Sequence, residues 1–199
     1  MKKVTNIKGF TLVELLVSIS IFTVITSVAV FNHAQFNGSV LLTNLAYEIA
    51  LSVRQAQFYG ITVRQSTVMP GAFDSGYGIR FDLGESVTRY SLYEDRLPQN
   101  HVYDGAGELL ESFQIQKGNR ISKILVTSGS GSPVTANIVD ISFIRPNPDT
   151  YITVGGNTSI FYSKAEICVS SPQGSSRIIV VEATGQISVT IDQTDKCSS

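Results

Sequence analysis

Apolar and polar positions divide the chain into two unlike parts. Phe10 to Phe31 reads FTLVELLVSISIFTVITSVAVF, 22 residues with one charge, Glu14, and neither proline nor glycine. At about 1.5 Å rise per residue this run is roughly 33 Å long as a helix, enough to cross the hydrocarbon core of a bilayer. From Asn32 to Ser39 the pattern turns polar, with Asn37-Gly38 the weakest helical point. Leu41, Leu42, Leu45, Ala46, Ile49, Val53 and Ala56 then recur at three-to-four spacing, with Thr43, Asn44, Glu48, Ser52 and Gln55 opposite. This predicts an amphipathic helix burying one stripe against a sheet, stopped at Gly60.

Beyond Gly60 the period changes to that of strands separated by Gly, Pro, Ser and Asn. Strands are predicted at Ile61 to Val68, Tyr77 to Leu83, Thr88 to Tyr93, Ser112 to Gln116, Ile121 to Thr127 and Ile138 to Ile144. Three more are predicted at Ser159 to Val169, Arg177 to Ala183 and Gln186 to Ile191. Alternation in Ile121-Ser-Lys-Ile-Leu-Val and in Val139-Asp-Ile-Ser-Phe predicts antiparallel strands with one wet face. Ala183-Thr-Gly185-Gln186 reads as a hairpin turn, and Ser128 to Pro133 and Asn147 to Asn157 read as loops. The expected fold class is α+β. Its segments are 1–9 as a leader, 10–31 as a transmembrane helix, 32–59 as its amphipathic continuation, and 60–199 as an extracytoplasmic β-rich head.

Composition sharpens this division. The chain has 199 residues, 43% hydrophobic and only 16% charged, below the roughly 25% charge of ordinary soluble domains. The deficit comes from the apolar run. Lys2, Lys3 and Lys8 precede that run, and the next basic residue is Arg54, so the positive-inside rule keeps the N-terminus cytoplasmic and exports the rest. A secretory signal peptide has a similar start, and Ser27-Val-Ala29 offers it a cleavage site. Glu14 distinguishes the run, because a carboxylate in an apolar span costs about 2.5–3.5 kcal/mol on insertion scales. Snorkelling to the interface is one way to lower that cost, and pairing is the other.

Lys8-Gly9-Phe10-Thr11-Leu12-Val13-Glu14-Leu15-Leu16 resembles the class III signal of type IV pilins and type II secretion pseudopilins. The shared features are a basic residue, glycine, an aromatic, Thr-Leu and a glutamate fifth after the cut, all ahead of an unbroken apolar helix. The resemblance implies cleavage by prepilin peptidase between Gly9 and Phe10, with Lys8 supplying leader charge, and N-methylation of Phe10. It also implies an assembly role for Glu14, paired with the Phe10 amine of a neighbouring subunit. Pilins share the shape read above, a long helix whose second half packs on a head. Many carry a proline in the projecting half, whereas the first proline here is Pro70, so any bend of the stalk would fall at Asn37-Gly38. Without the three leader lysines the 15 basic residues fall to 12 against 16 acidic, a net −4.

The head resembles, through weaker motifs, the GspH/FimT-like minor pilins. Gly76-Tyr-Gly-Ile-Arg-Phe-Asp82, Ile141-Ser-Phe, Ala165-Glu-Ile-Cys168 and Arg177-Ile-Ile-Val-Val-Glu-Ala-Thr-Gly185-Gln-Ile carry that likeness. Where that family has Gly-Arg at the last turn, this chain has Gly185-Gln186. Cys168 and Cys197 are the only cysteines. In an exported domain they are candidates for a disulfide tying down the C-terminal tail, as pilins often have; the alternative is a buried Cys168 and a free Cys197.

No cofactor or metal is expected. His33 and His101, the only histidines, have no neighbours suggesting a catalytic or zinc site and read as solvated. Asp192 and Asp195 lack further oxygen ligands for calcium. Arg145, Arg177 and Lys164 could form a DNA-binding patch, but a head of net −4 argues for scattered solvated charges instead. The expected protein is not an enzyme but a structural subunit, a minor member of a type IV pilus-like filament, held in the bacterial inner membrane before joining a surface filament. Its expected partners are prepilin peptidase, other pilin subunits and membrane lipid. A pseudopilin of a type II secretion apparatus is the alternative within the class, and a membrane-tethered binding domain the alternative outside it.

Overall fold

The computed structural model describes residues 9–66, 70–105, 107–146, 149–192 and 195–197, with the backbone alone for 31–37. One helix, α1 (Leu12–Ile61, 50 residues), forms the stalk and enters the head. At 1.5 Å per residue it is about 75 Å long. Inside its apolar half Ser18, Ser20, Thr23 and Thr26 each donate to the carbonyl four residues earlier, at 2.8 Å. These bonds satisfy hydroxyls that lipid would leave unpaired. The helix passes through Asn37-Gly38 without a break. It also passes Gly60, ending where the Thr62 N–H bonds to the Phe58 carbonyl at 3.0 Å. Gly60 is needed for packing instead: a Cβ there would lie 2.4 Å from the Phe143 carbonyl oxygen.

The strands are antiparallel throughout and form two five-stranded sheets. The first contains β1 (Gly76–Asp82), β2 (Arg89–Asp95), β3 (Leu109–Gln114), β6 (Ile138–Phe143) and β7 (Thr150–Val154), in the order β3-β2-β1-β6-β7. The second contains β4 (Arg120–Thr127), β5 (Val134–Ala136), β8 (Lys164–Ser170), β9 (Ser176–Glu182) and β10 (Ile187–Ile191), in the order β10-β9-β8-β4-β5. Helix α1 packs on β1 and β6 of the first sheet and on β8, β9 and β10 of the second. Leu42, Leu45, Ala46, Ile49, Val53 and Ala56 therefore share one core cluster with residues of both sheets, Ile79, Phe81, Ile141, Ile167 and Ile179 among them.

Several expected boundaries are corrected. Ile61 belongs to the helix and residues 63–66 have no regular structure, so no strand begins at Ile61; 67 and 68 lie outside the described residues. β7 falls inside the stretch read as a loop, because five alternating residues between Pro, Asn and Gly clusters give too short a signal. β5, three residues long, gave none. The strand expected from Ser159 starts at Lys164, since the chain before it crosses between sheets: Tyr162 N–H bonds to Ile152 of the first and Ser163 N–H to Thr127 of the second. Ser52, expected on the polar face, is buried and within 3.0 Å of the Tyr90 hydroxyl. The Gly185 turn is as expected, with Glu182 N–H bonding to Gln186 and Gly185 N–H to Glu182, both at 2.9 Å, and φ of 84° at Gly185.

Candidate assembly site

Thr11 caps the helix. Its hydroxyl oxygen accepts from the Glu14 N–H at 3.3 Å, and the hydroxyl reaches back to Glu14 Oε2 at 3.5 Å. Thr11 is thus a side-chain N-cap, and Glu14 sits three residues into the helix, beside free N–H groups and the positive end of the helix dipole. That surrounding offsets part of the cost of placing a carboxylate in an apolar run. It needs neither a basic side chain nor water.

Everything around this carboxylate is unpartnered apolar surface. Leu12–Val30 has a mean hydropathy of 2.2 and none of it is buried in the single chain. Phe10 is 72% exposed, and no atom lies within 4 Å of where a Gly9 Cβ would stand. The bond between Gly9 and Phe10 is accordingly open to a protease cleft. Lys8 and the residues before it lie outside the described residues.

The head holds the far end of this helix. Among the described residues no group of three or more His, Cys, Asp or Glu is placed to hold a metal ion. Cys168 and Cys197 form a disulfide, Cα to Cα 5.5 Å. It is buried against Ile178 and fastens the tail to the second sheet. Asp192 accepts from the tail's own N–H groups, Lys196 at 3.1 Å and Cys197 at 2.9 Å. Arg145 bonds the Thr62 carbonyl at 2.9 Å, Arg177 bonds the Ser39 hydroxyl at 3.2 Å, and Lys164 lies 3.5 Å from Glu166. Arg145 and Arg177 thus sit at opposite ends of the head, about 35 Å apart along the helix, and make no common patch.

His101 is not solvated as expected. Its ring stacks on Tyr151 with centroids 4.0 Å apart, meets Phe161 edge-on, and its pKa is lowered by burial. The side chain of His33 lies outside the described residues. His101 belongs to a loop clasped over the outer face of the first sheet by two acids the sequence did not single out. Asp95 accepts from the N–H groups of Asn100 and His101, at 3.2 and 2.9 Å, and Asp140 pairs with Arg80 at 3.0 Å. Burial pushes Asp95 up to about 6, and it raises Asp140 in spite of Arg80. Alternation marks both as outward-facing, but only the fold brings the loop over them.

The prokaryotic N-terminal methylation motif matches residues 5–30. That match spans Gly9, Phe10, the Thr11 cap and the whole exposed apolar segment Leu12–Val30. No curated protein and no solved structure matches the chain.

Proposed function

We propose, from a chain whose residues 5–30 carry the methylation motif of type IV pilins and pseudopilins, that the protein is a structural subunit of a type IV pilus-like filament, occupying a minor position in it. The observation that carries this is the apolar helix, unburied over its whole length, which begins at the Thr11 cap with Glu14 in its first turn, inside the matched motif. In the bilayer, lipid covers that helix. Outside it, other copies or other subunits must do so, which makes polymerisation the natural end state.

Prepilin peptidase would cut after Gly9, exposing an amine on Phe10 that is then methylated. The methylated amine remains cationic. Glu14 of an incoming subunit would exchange its weak contact with the Thr11 hydroxyl for the charged amine of a neighbour. Within low-dielectric surroundings a paired carboxylate costs far less than a lone one, so the pair fixes register as well as contributing attraction. Support for a minor place is the resemblance of the head to GspH/FimT-like subunits. No part of this role requires catalysis by the chain.

Mass spectrometry of the mature N-terminus tests the first step. A chain starting at N-methylated Phe10 is expected; one starting after Ala29, or retaining Met1, sinks the reading. Glu14→Ala is expected to leave cleavage nearly unchanged and to lower incorporation into filaments at least tenfold. Undiminished incorporation refutes the pairing.

A further inference from the structure

We infer that the end of the head nearest the membrane binds anionic phospholipid headgroups while the helix is still in the bilayer. This rests on the single-span reading of residues 12–30. The placement follows from the helix. Its apolar segment ends at Val30, and the head begins at Gly38 and Ser39, which meet Gln173 and Arg177. Nine residues at 1.5 Å place the head's lower edge about 13 Å beyond the hydrocarbon. The interfacial layer occupies about 5–8 Å of that distance. What remains is no more than a Debye length of about 8 Å and within reach of extended lysine and arginine side chains.

The charges found at that edge are cationic and unneutralised. Lys117, Arg120 and Arg177 all lie there: Gly118 abuts Pro172, Arg120 pairs in register with Ser170, and Lys117 lines a cleft together with Leu41 and Asn44. None of the three has a carboxylate within ion-pair distance among the described residues, and Lys117 and Arg120 are exposed. Of the neighbouring acids, Glu48 lines the Lys117 cleft and Asp195 the Arg120 cleft, neither within ion-pair distance of these cations, and others are engaged elsewhere. Asp82 is bound to Arg80 at 3.3 Å, Glu85 to Arg89 at 2.7 Å, and Asp192 to the tail's N–H groups. Three unpaired cations at one end of a mature chain of net −4 are a segregation of charge, not an average of it.

Between Arg120 and the turn joining β8 to β9 lies a cleft of about 550 Å³. Ser122, Ser170, Ser171 and Ser176 line it, with Asp195 as its one acid among the described residues. Hydroxyl donors around a guanidinium suit a phosphodiester and leave little for an apolar ligand. The contact would hold the head upright on the membrane, and extraction into a filament would have to break it.

The test uses the full chain, one copy per nanodisc, in discs of phosphatidylcholine alone and of phosphatidylcholine mixed with phosphatidylglycerol. Amide exchange is followed over residues 116–120 and 171–175. Exchange in the anionic discs is expected to slow by about fivefold per cation engaged. That slowing should vanish at high salt and in the double variant Lys117→Asn, Arg120→Gln, whose exposed sites leave folding intact. Equal exchange in both discs overturns the inference. Equal slowing in lipid-free detergent overturns it too, by assigning the surface to a second copy. Alkaline carbonate extraction separates the premise: a chain that washes out of membranes refutes the single span itself, whereas an inserted chain with equal exchange refutes only the lipid contact.

Discussion

Gly60 shows how one residue can be read correctly as special and wrongly as to why. Glycine costs about 1 kcal/mol in a helix interior relative to alanine, so at the end of an apolar stripe it reads as a stop. In the fold it lies inside the last turn, pressed on the Phe143 backbone. Gly60→Ala would gain about 1 kcal/mol of helix propensity. It would also drive a methyl to 2.4 Å from a carbonyl oxygen, and overpacking of that kind costs about 1–3 kcal/mol. The second term wins, so the variant is expected to melt several degrees lower than the parent in a calorimetric scan; an unchanged or higher melting temperature contradicts this packing. Thr11 and Glu14 differ in this respect. Their capping contact is local, three residues apart, yet only the structure brought it out, because the sequence was read for pairing or snorkelling of Glu14 alone.

At the scale of elements, the helix was the most legible part, because a 3.6-residue period sustained over several turns and a 22-residue apolar run are strong patterns. Its inner face was right except at Leu41, which is half-buried beside a cleft instead of in the core, and at Ser52, where a hydroxyl finds Tyr90 from a strand 38 residues away. Strands were legible where the apolar alternation was rich in β-branched residues and ran beyond a single short stretch. β5 and β7 were not, since their pairing partners, and not their own sequences, hold them in place. The disulfide belongs to this scale too, as it joins β8 to a tail that otherwise has little core. Its 29-residue separation makes the link worth about 3.5 kcal/mol in the chain-entropy model. Reduction is expected to lower the melting temperature by roughly 7–14 °C at about 2–4 °C per kcal/mol for a chain of this size, and a shift under 2 °C would remove the tail from the folding unit.

For the whole molecule, the buried acids of the first sheet set a pH dependence that runs opposite to the usual acid destabilisation. Asp95 has a folded pKa of about 6 against an ordinary value of 3.8. Burial is the main cause, opposed by its two N–H bonds, with Glu108 and Asp104 adding to the rise. A carboxyl raised on folding contributes stability that is fully present below about pH 4 and lost as pH rises through about 6. Two pKa units correspond to about 3 kcal/mol. Melting temperature should therefore rise between pH 7 and pH 5, and Asp95→Asn should flatten that slope; a variant with the parent's slope would assign the effect elsewhere. By itself the sequence determined the apolar helix, most of the buried stripe and most strands, because each is written in contacts a few residues apart or in a strict period. Only the tertiary structure decided that the strands divide into two sheets sharing one helix, that a loop is clasped over Asp95 and Asp140, and that Lys117, Arg120 and Arg177 lie at the end of the head where the helix enters it. Those features depend on pairings tens of residues apart, and such contacts leave no period in the chain to read.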